Sequence, residues 1–100
     1  MAQKKSHMIS QKRLERMVAL VKAVAHPMRL QIVEILMNGE QSVGNLVKIL
    51  GAKQSLTSQQ LKILKYVGIV KPRREANVVF YFMGNDSVRK IMASILKENA

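Results

Sequence analysis

The sequence predicts a mainly α-helical domain carrying one β-hairpin, in the order α-α-α-α-β-β-α. Three observations lead there. Apolar residues recur at helical spacing in five stretches. Helix-ending signals separate the first four of them: His26-Pro27, Asn38-Gly39, Gly51 and Gly68. Before the last stretch lies IVKPRREANVVFYFM, residues 69–83, two β-rich runs around Glu75-Ala76-Asn77 that read as a hairpin.

Residues 1–8, MAQKKSHM, read as a flexible basic start, set apart from a single domain over residues 9–98. A first helix is expected from about Ile9 to Ala25, with Leu14, Met17, Val18, Val21 and Val24 in one stripe. Leu20 lies off that stripe, which points to burial of more than one face. Pro27 suits the first turn of a second helix. Leu30, Ile32, Val33, Ile35, Leu36 and Met37 make that helix mostly buried, and Gly39 fits a left-handed C-cap. Ser42 is expected to cap a third helix with Val43, Leu46, Val47 and Leu50 inward. Gly51 stops it.

The fourth helix is KQSLTSQQLKILK, residues 53–65, ending by Gly68. Leu56, Leu61, Ile63, Leu64 and Val67 fall within an arc of roughly 160°. Thr57 and Gln60 lie inside that arc. Gln54, Ser55, Ser58, Gln59, Lys62 and Lys65 take the other side. In the hairpin, Pro72 suits only an edge strand or a strand start. Asn85 or Asp86, with Asp86 preferred, caps a last helix bearing Val88, Ile91, Met92, Ile95 and Leu96. Met17, Met28, Met37, Met83 and Met92 sit in apolar patterns and read as packing residues. Helices three and four, joined by a short Gly-containing turn and followed by a hairpin, make a winged helix-turn-helix.

Composition narrows the function. A chain of 100 residues buries a modest core, which favours a dimer. The absence of cysteine excludes disulfides, thiol catalysis and thiolate metal sites, and it fits a reducing cytoplasm. There is no apolar run near 18 residues, so neither a transmembrane helix nor a membrane role is expected. No Ser/His/Asp set, paired carboxylates or phosphate loop appears, so no enzyme is expected. Seventeen Lys and Arg against six Asp and Glu give a net charge of +11, a field that favours polyanions. From Gln41 to Arg74 there are seven basic residues and no acidic one.

The fourth helix lies in that window and opens on amides and hydroxyls without a carboxylate. A recognition helix enters the major groove with its N-terminal part facing base edges. Gln bonds adenine in a bidentate way, and Ser reads several bases. Gln54, Ser55, Ser58 and Gln59 are therefore the base-reading candidates. Lys53, Lys62 and Lys65 are candidates for phosphate contacts, and so are Arg73 and Arg74 on the wing. Leu56 is assigned to packing, with a thymine methyl as its alternative contact. Alone, such a helix face reads as ordinary solvated surface. The helix-turn-helix order, the acid-free window and the basic hairpin reverse that preference.

Together HPMRLQIVEIL, SVGNLVKILGAKQSLTSQQLKILKYVGIV and PRREANVVFYFM resemble the ArsR/SmtB family of bacterial winged-helix repressors, over about residues 14 to 96. The resemblance implies a homodimer through the first and last helices, here Leu14, Met17, Val18, Val21, Ile91, Met92, Ile95 and Leu96. It implies transcriptional repression by binding a palindromic operator in double-stranded DNA. It places Gln54, Ser55, Ser58 and Gln59 on DNA-reading positions, and Arg73 and Arg74 on the wing. The chain departs from the family pattern in places. Lys53 stands where a capping Ser or Thr is usual, and Ala76 stands where a wing glycine is common. The family's metal sites use cysteines in the third helix, or Asp and His on the last one. Here the third helix has no thiol, and Asp86 has no following His, so neither metal nor cofactor is expected. The cysteine-based redox switch of some relatives is likewise missing. His26 is assigned to a helix junction and His7 to the basic start. No residue names an inducer.

Two alternatives stay open at this level. One is an architectural winged helix that coats DNA with little base preference, against which the Gln/Ser tip argues. The other is a protein-interaction module without a DNA role, against which the acid-free window argues.

Overall fold

The computed structural model describes residues 8–98. The first helix, α1 (Gln11–Val24), starts two residues later than the apolar pattern because Ser10 takes the cap, its hydroxyl accepting from the Arg13 N–H at 3.2 Å. α2 (Pro27–Met37) is capped by His26, whose Nδ1 accepts from the Met28 N–H at 3.2 Å. This is the junction role expected of His26. The flexible start expected for residues 1–8 lies, apart from Met8, outside the described residues.

Gly39 has a φ of +139°, but the residue that caps α2 is Asn38, in a right-handed conformation. Gly39 thus serves the turn rather than the left-handed cap expected of it. It leads into β1 (Gln41–Ser42), a strand the sequence did not announce. Ser42 ends β1 and also caps α3 (Val43–Leu50), accepting from the Asn45 N–H at 3.0 Å. Gly51 closes α3 at φ +63°, the left-handed conformation that glycine adopts without steric cost. α4 (Gln54–Tyr66) follows.

The wing is β2 (Val70–Glu75) and β3 (Val78–Met83), joined at Ala76-Asn77. The sheet is antiparallel in the order β1-β3-β2. β2 is therefore an edge strand, which accommodates Pro72. Ala76 takes φ +53°, the conformation for which a glycine is normally selected in tight hairpins. α5 (Asp86–Glu98) closes the chain. Its cap is Asn85, whose Oδ1 accepts from the Val88 N–H at 3.0 Å, whereas Asp86 is the first helical residue. The preference for Asp86 as cap is thus corrected. Its carboxylate sits in the first turn, where it still suits the helix dipole.

The core joins Ile32, Val33 and Leu36 of α2, Leu46 of α3, Leu61 and Leu64 of α4, and Ile69 and Val70 entering the wing. Ala23, Val88 and Met92 bring α1 and α5 onto it. The inner face of α1 is thus Leu20, Ala23 and Val24, while its stripe of Leu14, Met17, Val18 and Val21 stays exposed on the protomer.

Candidate nucleic-acid interface

The rotation of α4 about its axis decides what it presents. Its buried face is Thr57, Gln60, Leu61 and Leu64. Leu56 and Ile63, expected inside, are 41 % and 39 % exposed. The packed stripe is therefore turned toward the two polar residues of the arc. Both are satisfied, as buried polar groups must be. The Thr57 hydroxyl donates to the Lys53 carbonyl at 3.0 Å, and the Gln60 Oε1 accepts from Arg29 Nη1 at 2.9 Å. Lys53 occupies the N-cap position without a side-chain cap bond, and the helix still starts at Gln54.

The opposite face of α4 carries Gln54, Ser55, Ser58, Gln59, Lys62 and Lys65, all exposed. Ser55, Leu56, Ser58, Gln59 and Lys62 border one shallow concavity. Leu56 thus belongs to this polar face and not to the core. Its exposure was not legible from the arc alone, because Thr57 and Gln60 displaced it. Gln54, Ser58 and Lys65 face the wing across a cleft that also includes Pro72, Arg74 and Asn77. Asn77, read in the sequence as part of the hairpin turn and not as a site residue, joins this cleft; its turn position shortly after two arginines was the available signal.

The two wing arginines part ways. Successive strand residues point to opposite faces. Arg74 and Pro72 look into the cleft beside α4. Arg73 looks the other way and is fully engaged. Its Nε and Nη2 grip Glu40 at 2.8 and 2.7 Å, its Nη1 reaches Glu75 at 2.7 Å, and its guanidinium lies 4.6 Å from the Phe80 ring centroid. The hydrogen bonds from Arg73 hold the Glu40 carboxyl below its usual range, and the charge of Arg73 adds to this. The same contacts, with Glu40 first and Glu75 second, raise the pKa of the guanidinium. Among the described residues both ion pairs belong to Arg73. Lys53, Lys62, Lys65 and Arg74 carry no such partner.

A second surface lies on α1 and α5. Leu14, Met17, Val18 and Val21 are exposed on one helix, Ile91 and Ile95 on the other. Met17, Val21, Ile91 and Ile95 rim an apolar groove of ≈ 220 Å³ floored by Leu20 and Met92. Met92 is only 4 % exposed, so its own chain already buries it, and Leu96 is half-buried. Among the described residues no three His, Asp or Glu side chains converge as a metal site would require. Among them, too, no helix is long and apolar enough to cross a membrane.

A helix-turn-helix with an acid-free polar face, followed by a basic hairpin on a small sheet, defines a winged helix-turn-helix protein. The sequence profile of "Bacterial regulatory protein, arsR family" matches residues 26–71. The biofilm growth-associated repressor of Agrobacterium fabrum is 39 % identical over 85 residues, covering 85 % of this chain and 73 % of that protein. Among solved structures, HlyU from Vibrio cholerae superposes with a TM-score of 0.84 at 36 % identity, covering 88 % of this chain and 96 % of that one. The homodimeric winged helix-turn-helix DNA-binding domain of a possible ArsR-family regulator from Mycobacterium bovis gives 0.82 at 28 % identity, covering 91 % and 87 %. The chain belongs to the arsR family of bacterial regulatory proteins.

Proposed function

We propose that the protein is a homodimeric transcriptional repressor, a binding protein rather than an enzyme, that reads an inverted-repeat operator in the cytoplasm. The observation that carries this reading is the exposed face of α4: Gln54, Ser55, Ser58 and Gln59 stand free at its N-terminal half, flanked by lysines without ion-pair partners. Such groups donate to and accept from base edges, while lysines and Arg74 neutralise phosphates. The exposed apolar residues of α1 and α5 make the two-fold contact. The contact places two α4 helices in successive major grooves, about 34 Å apart for half-sites one helical turn apart. The repressor named in Agrobacterium fabrum and the homodimer from Mycobacterium bovis are consistent with both parts.

The test is binding of the purified protein to the DNA upstream of its own gene, with random DNA as competitor, across a salt series. A two-fold symmetric footprint and an affinity ratio of about 10³ or more are expected. Equal, weak binding to both DNAs would replace this reading with the architectural one.

A further inference from the structure

Gln60 is a polar residue on the packed face of the recognition helix, 8 % exposed, where the helix pattern calls for an apolar one. Its Oε1 accepts from Arg29 Nη1 at 2.9 Å, and the same guanidinium donates from Nε to the Ala23 carbonyl at 2.6 Å. Ala23 lies in the last turn of α1, where intrahelical donors run out. Val21 and Lys22 accept from the Ala25 N–H and Val24 from the His26 N–H, whereas the Ala23 carbonyl accepts from Arg29. One side chain, rooted at the start of α2, thus holds the end of α1 and the middle of α4. Among the described residues, this is the side-chain hydrogen bond that joins α4 to another helix. Arg29 has no carboxylate partner among them either. Its guanidinium therefore serves two neutral acceptors and does not neutralise a charge.

We propose that Arg29 is a positioning residue that sets the rotation of α4 relative to α1, and that the Ala23–Arg29–Gln60 relay is the mechanical link between dimer contact and DNA reading. The inference rests on the roles proposed above for α1 and α4. An apolar contact at residue 60 would fill the same space, yet it is non-directional and leaves the helix free to roll. A hydrogen bond from a planar guanidinium fixes direction as well as distance. Gln59 precedes Gln60 by one residue and Ser58 by two, so they point about 100° and 200° away around the helix. Pinning Gln60 toward Arg29 therefore aims Ser58 and Gln59. Because the other end of the relay is the α1 terminus, a shift at the dimer face reaches α4 through Arg29, and the coupling works in both directions.

The experiment compares Arg29→Met, Gln60→Leu and Gln60→Glu with the wild-type chain. All are first shown to be folded by circular dichroism and dimeric by sedimentation. The absence of native cysteine allows a single spin label through Tyr66→Cys, a residue on α4 that is 90 % exposed. The distance between the two labels of a dimer reports the mutual placement of the α4 helices. Gln60→Leu and Arg29→Met are expected to broaden that distance distribution. They are also expected to lower the operator-to-random affinity ratio about tenfold, the size of one hydrogen bond to a charged group. Gln60→Glu keeps the acceptor and restores both readouts. If wild-type protein discriminates its operator while Gln60→Leu keeps the narrow distribution and the full ratio, the relay is overturned. A wild-type chain that does not discriminate overturns instead the reading on which it rests. A Gln60→Glu variant that behaves like Gln60→Leu also overturns the relay, since its acceptor is present.

Discussion

Replacing Ile91 by Asp tests the dimer face of the protein. Ile91 is 59 % exposed on the folded protomer, so the change leaves the core of that protomer in place. Complete burial of an isoleucine side chain stabilises by about 1.5–3 kcal/mol. Burying the part still exposed in Ile91 therefore contributes about 1–2 kcal/mol per copy, and a two-fold contact counts it twice. Loss of about 2–4 kcal/mol raises the dimer dissociation constant by about 30- to 10³-fold. The desolvation of two carboxylates in an apolar contact adds to that. Sedimentation velocity over a concentration series reads the constant, and far-UV circular dichroism confirms that the helices persist. The expected outcome is a folded monomer whose DNA footprint has lost its two-fold symmetry. A variant that stays dimeric at the wild-type concentration would refute the assignment of α1 and α5 to the interface.

Gln59→Ala should cost about 1–3 kcal/mol on the operator and relax preference at one base pair, while Lys65→Ala weakens all DNA alike and lowers the salt slope by about one; titrations on operator and random DNA separate the two. Lys53→Ser should move stability and binding in opposite directions. The hydroxyl supplies the cap bond α4 lacks, for about 1 kcal/mol, seen as a higher melting temperature, while the loss of a phosphate contact flattens the salt dependence. Ala76→Gly should raise stability by about 0.5–1 kcal/mol, the relief of a positive φ less the extra freedom of glycine in the unfolded chain; an unchanged denaturation midpoint would argue against strain in the wing turn. Glu40 has a depressed pKa in the folded state, so its pairing with Arg73 stabilises above the usual glutamate value of about 4.3 and is lost as pH falls below it. The gap in melting temperature between wild type and Glu40→Gln should therefore close in acid; a gap that persists there would contradict the ion-pair account.

The sequence by itself determined the five helices, the hairpin, the helix-turn-helix order and the basic, acid-free outer face of α4. These rest on local signals: helical periodicity, the caps at Ser42 and Gly51, the proline at Pro27 and the charge along the chain. Three features required the tertiary structure because each joins residues far apart in the chain. β1 spans two residues that read locally as a loop and a cap, and it exists only because β3 pairs with it through Gln41 and Tyr81. The rotation of α4, which exposes Leu56 and Ile63 and buries Thr57 and Gln60, is set by packing against α2 and by Arg29, 31 residues before Gln60. The division of labour between Arg73 and Arg74 follows from strand alternation together with Glu40, 33 residues before Arg73. A helical wheel assigns a face from composition alone, whereas packing selects the face whose polar groups find partners, and those partners lie outside the window in which periodicity is read.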